Sequence, residues 1–291
     1  MKNAAMLLVS TAILMLACAK KSEAPAPGAA PAPAANAEFA KFVDDYFASS
    51  FSYSPTSGVS AGLHEYDGQM EERSQARLDA RAGELKAQLA RLSGFDRTTL
   101  SFDETIDAEA LEGQIRGELL DLETIRVWNT NPMYYAYLPG GAIDVLMKRD
   151  FAPAPERLRS IVARMQKIPA LYDACRANVQ NPPKEFTDIA IRLARGSAGF
   201  FEGSAAEWAK GAAGSDAALA ASFAEANGKV IQATKDFALW LDKDLKPRSK
   251  GAYAIGAENF LAKLEYDDMV EMSLPELLAK GEAQLEKDHA A

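Results

Sequence analysis

From position 38 onward, apolar residues recur at helical spacing along almost the whole chain. Phe39, Phe42, Val43, Tyr46 and Phe47 fall at i, i+3, i+4, i+7 and i+8, one face of a helix. Leu78, Ala82, Leu85, Leu89 and Leu92 repeat the pattern, and Gly94 ends it. Leu111, Ile115, Leu119, Leu122 and Ile125 mark another helix, for which Ser101 is the expected cap and Glu104 the capping-box partner. The same reasoning predicts helices near 139–149, 153–179 (bent at Pro169), 184–203, 216–245, 256–265 and 273–288. Asn181-Pro182-Pro183 and Lys246-Pro247-Arg248 read as breaks between them. Strand-like alternation is confined to one short candidate, Tyr253 to Ile255, and no period of about 20–50 residues marks a solenoid. The expected fold is therefore an all-α array of antiparallel helices over 38–291. Leu274, Leu277, Leu278 and Leu285 of the last helix need an apolar partner that no later segment supplies. That is a first sign of an incomplete half of a larger helical fold.

The amino-terminal residues follow different rules. Lys2 precedes an uncharged, mostly apolar run from Ala4 to Ala17. The run is shorter than the about 20 residues that span a bilayer but suits the apolar part of a signal peptide over 1–17. It ends in Leu14-Met15-Leu16-Ala17-Cys18, which resembles a bacterial lipobox, with Met15 where leucine is commoner. Cys18 is the expected lipidation site, and two or three acyl chains hold a protein stably on a bilayer where one does not. Ala19, rather than Asp, follows the cysteine. By resemblance to lipoprotein sorting rules this favours the periplasmic face of the outer membrane. The Ala/Pro-rich stretch that completes 18–37 reads as an extended tether, because repeated proline blocks helix and removes amide donors.

Composition narrows the partners. Lys and Arg number 32 against 41 Asp and Glu, for a formal net charge of −9. An acidic surface repels phosphate backbones, so nucleic acid is not an expected partner. It also repels anionic headgroups, so the membrane is reached through the lipid anchor. With Cys18 lipidated, Cys175 is the one cysteine left, which excludes a disulfide framework and cysteine-rich zinc sites; it reads as a buried structural thiol.

The search for chemistry yields little. His64-Glu65-Tyr66-Asp67-Gly68 begins like a zinc-binding helix, but Gly68 stands where a second histidine ligand is needed. The other histidine, His289, is two residues from the end of the chain. Gly58-Val59-Ser60-Ala61-Gly62 matches the G-x-S-x-G pattern, but no hydrophobic strand leads into it, so a catalytic Ser60 is the weaker reading. Gly140-Gly141 reads as a turn, and the paired acids Asp44/Asp45, Glu71/Glu72 and Asp267/Asp268 as solvated helix faces. Trp128, Met133, Tyr134, Tyr135 and Tyr137 form the densest aromatic patch. Such a patch more often packs between helices, but Trp128, Tyr134 and Tyr135 are the candidates for lining a substrate groove, since tyrosine offers flat surface and a hydroxyl.

Several stretches taken together resemble the bacterial "domain of unknown function 885" family, often lipoproteins. They are Gly62-Leu63-His64-Glu65-Tyr66-Asp67-Gly68, Trp128-Asn129-Thr130-Asn131-Pro132-Met133-Tyr134-Tyr135, Arg149-Asp150-Phe151-Ala152-Pro153, Asn181-Pro182-Pro183 and Ile255-Gly256-Ala257-Glu258-Asn259-Phe260. The resemblance implies a helical, zincin-like metallopeptidase with a deep cleft between two halves and a peptide substrate. It also implies zinc held by a histidine-glutamate helix of the carboxy-terminal half, for which no position in this chain is a match. The expectation is an amino-terminal half with no catalytic residue and no metal ligand of its own, inactive alone. The competing expectation is a non-enzymatic envelope lipoprotein that binds peptides or a protein partner.

Overall fold

The computed structural model describes residues 36–290. The signal segment, Cys18 and nearly all of the tether lie outside the described residues. Among the described residues the secondary structure is entirely helical, with no strand, so the all-α expectation holds.

Asn36 caps α1 (Ala37–Tyr53), its side chain accepting from the N–H groups of Glu38 and Phe39 at 3.1 and 3.0 Å. Pro55 opens the short α2 (Pro55–Ser60). Ser74 caps α3 (Gln75–Ser93), and α4 (Phe102–Leu119) starts with the predicted capping box. There the Ser101 N–H donates to Glu104 Oε2 at 2.8 Å, and the Glu104 N–H donates to Ser101 Oγ at 3.3 Å. The other oxygen of Glu104 accepts the N–H of Asn36 at 2.6 Å, so one carboxylate ties the starts of α1 and α4 together. Phe39, Phe42 and Tyr46 of α1 meet Leu85 and Leu92 of α3 and Ile115 of α4 in a small core of their own.

The chain then steps through α5 (Val127–Thr130), α6 (Met133–Ala136) and α7 (Leu138–Lys148). It runs on into α8 (Ala154–Met165), α9 (Ile168–Asn178), α10 (Lys184–Phe200), α11 (Ala206–Ala213) and α12 (Ala217–Trp240). Helix α12 packs along α10, α8 and α9. A larger core fills the space between these helices, with Ile143, Met165, Tyr172, Phe201 and Phe237 among its fully buried members. Tyr172 stacks on Phe237 with ring centroids 4.3 Å apart.

The expected bent helix over 153–179 is two helices, α8 and α9, broken at Gln166–Lys167. Pro169 has no N–H for the carbonyl four residues back, and it sits instead in the first turn of α9, where that N–H is not needed. Gly140 and Gly141, read as a turn, lie in the first turns of α7. The strand candidate Tyr253–Ile255 is irregular backbone.

Helices α4, α10 and α12 each widen at their carboxy ends into a π-helical turn, at Leu120–Ile125, Phe201–Ala205 and Leu241–Leu245. The first of these ends at Arg126, which takes a left-handed conformation with φ 56°. After α12, the segment 249–256 leads to α13 (Ala257–Asp268), which returns to lie against α4. Glycine permits that approach: a Cβ on Gly113 would stand 2.6 Å from the carbonyl oxygen of Tyr266. Helix α14 (Leu274–Ala290) follows, and none of its residues is buried.

Candidate functional site

The segment 127–136 is a junction rather than an aromatic wall. Trp128 is 6% exposed and its indole N–H donates to the Leu122 carbonyl at 2.8 Å, while the Arg126 guanidinium lies over its ring at 4.7 Å. Tyr135 is 0% exposed. Its hydroxyl donates to the Trp128 carbonyl at 2.8 Å and accepts from Asn178 Nδ2 at 2.9 Å. Tyr134 is half-buried, with its hydroxyl 3.4 Å from that of Tyr53 and the Arg73 guanidinium over its ring at 5.0 Å. Burial pushes the Tyr134 and Tyr135 hydroxyls well above the usual phenol range. Of the three groove candidates, Trp128 and Tyr135 are thus placed in the interior and Tyr134 in a cluster around Arg73.

A groove does lie next to this junction, on its other side. Its volume is about 580 Å³, and three separated stretches wall it: the π-turn after α4 with α5 and Asn131, the Asn181–Pro183 turn with Phe186, and the segment 251–263. The Asn181–Pro183 turn is held on both flanks. The Gln180 N–H donates to the Asn129 carbonyl at 3.3 Å, and Arg248 donates to the Gln180 carbonyl at 2.6 Å. Beyond that, the Lys250 N–H donates to Asn181 Oδ1 at 2.9 Å and the Gly251 N–H to the Pro182 carbonyl at 3.1 Å. Gly251 is obligatory here, since a Cβ would fall 2.2 Å from the Asn181 carbonyl oxygen. At one end of the groove Lys263 is shared between Asp121 at 3.1 Å and Asp267 at 2.9 Å. At the other, Phe186 and Tyr253 meet edge to face at 5.5 Å.

The two other chemical motifs are engaged elsewhere. His64 stacks on Phe151 at 3.9 Å, and its Nδ1 lies 3.3 Å from Asp67 Oδ1. Arg149 donates to the carbonyls of Val59 and Ser60 at 3.2 and 2.9 Å, so the 149–153 stretch clasps the 58–68 stretch. Ser60 spends its own hydroxyl on the Thr56 carbonyl at 3.0 Å, at the end of α2 and without a histidine partner. That is not the base-activated serine that G-x-S-x-G chemistry needs. Cys175 is fully buried and burial pushes its thiol up, as expected of a structural cysteine.

The zinc implied by the family resemblance does not fit the side chains described here. Among the described residues no three His, Cys, Asp or Glu side chains are grouped to hold a metal ion. His64 is occupied by Asp67 and Phe151, and His289 lies in the exposed last turn of α14. No residue of this chain is assigned to zinc.

The fold is thus an all-helical array with a neutral groove and no assembled catalytic cluster among the described residues. The chain belongs to a family described as bacterial protein of unknown function (DUF885), whose model matches residues 55–291. A solved structure similar to it is that of a candidate lipoprotein of unknown function from Shewanella oneidensis. The two superpose with a TM-score of 0.76 at 28% sequence identity, covering 86% of this chain and 46% of the other. The chain therefore spans about half the length of that relative. No curated protein matches it.

Proposed function

We propose that this chain is the amino-terminal helical part of a lipid-anchored, peptidase-like envelope protein, and that it supplies one wall of a substrate cleft without catalytic competence of its own. The observation that carries this reading is the asymmetry of the structural match, which takes in 86% of this chain but only 46% of the relative. Helix α14 points the same way. Leu278 and Leu285 are 62% and 56% exposed along it, an apolar face of the kind that a further helical layer covers. The anchor is Cys18, with the periplasmic face of the outer membrane as the site. Among the described residues no helix is long and apolar enough to cross a membrane.

Intact mass of the native lipoprotein in its own membranes tests the reading. A species roughly twice the 31.4 kDa of this chain supports it. Zinc-dependent peptide cleavage by the purified 291-residue chain overturns it. A second reading, a non-enzymatic peptide-binding lipoprotein, draws on the groove, where asparagine amides and apolar side chains stand beside a Lys263–Asp121 ion pair. A native mass matching this chain less residues 1–17 and plus its lipid favours that second reading.

A further inference from the structure

The groove of about 580 Å³ beside α5 is the roomiest of the surface hollows described. A second hollow, about 520 Å³ between α10 and the end of α12, is walled by charged side chains, some paired, such as Lys246 with Asp188 at 2.7 Å, and some, Arg192 and Glu185, in no ion pair among the described residues. It suits a charged ligand. The groove beside α5 differs in kind. Its ammonium, Lys263, is held by two carboxylates, so the site has no cation to spend on a phosphate or a free carboxylate. What remains is neutral and rich in unpaired donors and acceptors.

These groups sit on both walls. Asn131 uses its Oδ1 on the Met133 N–H and Asn181 its Oδ1 on the Lys250 N–H, leaving each Nδ2 without a partner among the described residues. Asn259 donates from Nδ2 to the Ile255 carbonyl at 2.8 Å, leaving its Oδ1 open. Between the pinned Gly251 and Ile255, the main-chain N–H and C=O groups of Ala252, Tyr253 and Ala254 make no hydrogen bond to any described residue. A main chain that alternates donor and acceptor is the partner such a wall matches, because side-chain amides and free backbone groups reproduce the pairing of a strand.

We propose that this groove binds an extended, uncharged stretch of peptide through its main chain, with the Phe186–Tyr253 pair receiving an apolar side chain at one end. The proposal rests on the cleft-wall reading for its biological meaning and on the groove alone for its chemistry. Tyr253 is 67% exposed, which leaves a ring face open to such a side chain.

The test uses the full mature lipoprotein in detergent and a fluorescein-labelled Ala-Phe-Ala-Phe-Ala peptide blocked at both ends, followed by fluorescence anisotropy. Saturable binding is expected. Tyr253→Ala and Ala254→Pro, the second removing a main-chain donor, each weaken it about tenfold. Tyr137→Ala, an exposed aromatic outside the groove, leaves it unchanged. Absence of saturable binding overturns the proposal, as does binding that neither groove variant weakens. So does a groove that takes a neutral β-1,4-linked N-acetylglucosamine tetramer in the peptide's place, since amides and aromatics also suit sugars. This readout needs neither a second protein half nor zinc. A native mass that refuses the two-part reading therefore leaves the groove proposal standing, and failed peptide binding leaves the mass result untouched.

Discussion

The guanidinium of Arg81, with no exposure to solvent, forks onto the carboxylate of Glu118 with Nε and Nη2 at 2.8 and 2.7 Å from its two oxygens. The pair crosses from α3 to α4 just outside the small aromatic core, and Arg81 also donates to Ser49 Oγ of α1 at 3.0 Å. Three helices thus meet on one buried cation. Removing its carboxylate leaves that charge without its strongest partner and with only the longer contact to the partly exposed Glu84, at 3.5 Å, as an ion pair.

Glu118→Ala is expected to lower stability by about 2 kcal/mol, less than for a fully buried pair. The double variant Arg81→Met with Glu118→Leu recovers most of that loss, because neither charge is then left buried. Urea unfolding of the three proteins measures it; equal losses in the single and double variants refute the account.

Glu104 supplies the pH dependence. Backbone donation from Ser101, then from Asn36, holds its carboxyl below the ordinary value of 4.5. A carboxylate lowered on folding adds stability in full above its unfolded value, and that stability is lost as pH falls through the lower folded value. Wild type is therefore more stable than Glu104→Ala at pH 7, and the gap narrows below pH 4.5 as the wild-type carboxylate is protonated. Denaturant midpoints across that range are the check; a gap constant with pH would falsify the assignment.

Tyr135→Phe separates structure from binding. The change strands the Trp128 carbonyl and one Asn178 amide hydrogen in the interior, at a cost of about 1–2 kcal/mol. Peptide binding by the groove should be unaltered, since the ring faces the core. Weaker binding with unchanged thermal stability would return Tyr135 to the substrate surface.

Gly251→Ala is expected to push the 249–256 segment off the Asn181–Pro183 turn, as its methyl would overlap the Asn181 carbonyl. Hydrogen exchange reports this directly. Faster exchange at the Lys250 and Gly251 amides, which the turn now holds, is the expected result, and native protection there would contradict it.

Cys175 should ignore a thiol reagent in the native protein at pH 8 and react once in guanidinium, because the thiolate is both buried and disfavoured. Rapid native labelling at this residue would show that α9 opens far more readily than its packing implies.

Much of the helical frame was legible because it obeys local rules. Leu78, Leu85 and Leu92 lie one heptad apart, and Leu85 and Leu92 are fully buried. Ser101 and Glu104 form the box their spacing announces. Pro169 shows the limit of that reading: proline states that a helix is disturbed, while packing decides between a bend and a break. The aromatic patch shows another limit. Trp128 and Tyr135 read equally as wall or core from composition, and hydrogen bonds to Leu122 and Asn178 place them inside. The groove was not legible, because its walls come from stretches as far apart as Asp121, Asn181 and Lys263, which share no local period. Its best signal is the pair of asparagines before Pro132 and Pro182, whose free amides no local pattern announces.

Helix α14 carries a consequence for the life of the protein. A helix of 17 residues with no buried side chain draws little from tertiary packing, the main source of helix stability in proteins. Left uncovered, it offers proteases a readily unwound, leucine-bearing handle. On the two-part reading proposed above, covering α14 and escaping degradation are one event, with abundance in the cell reporting on assembly.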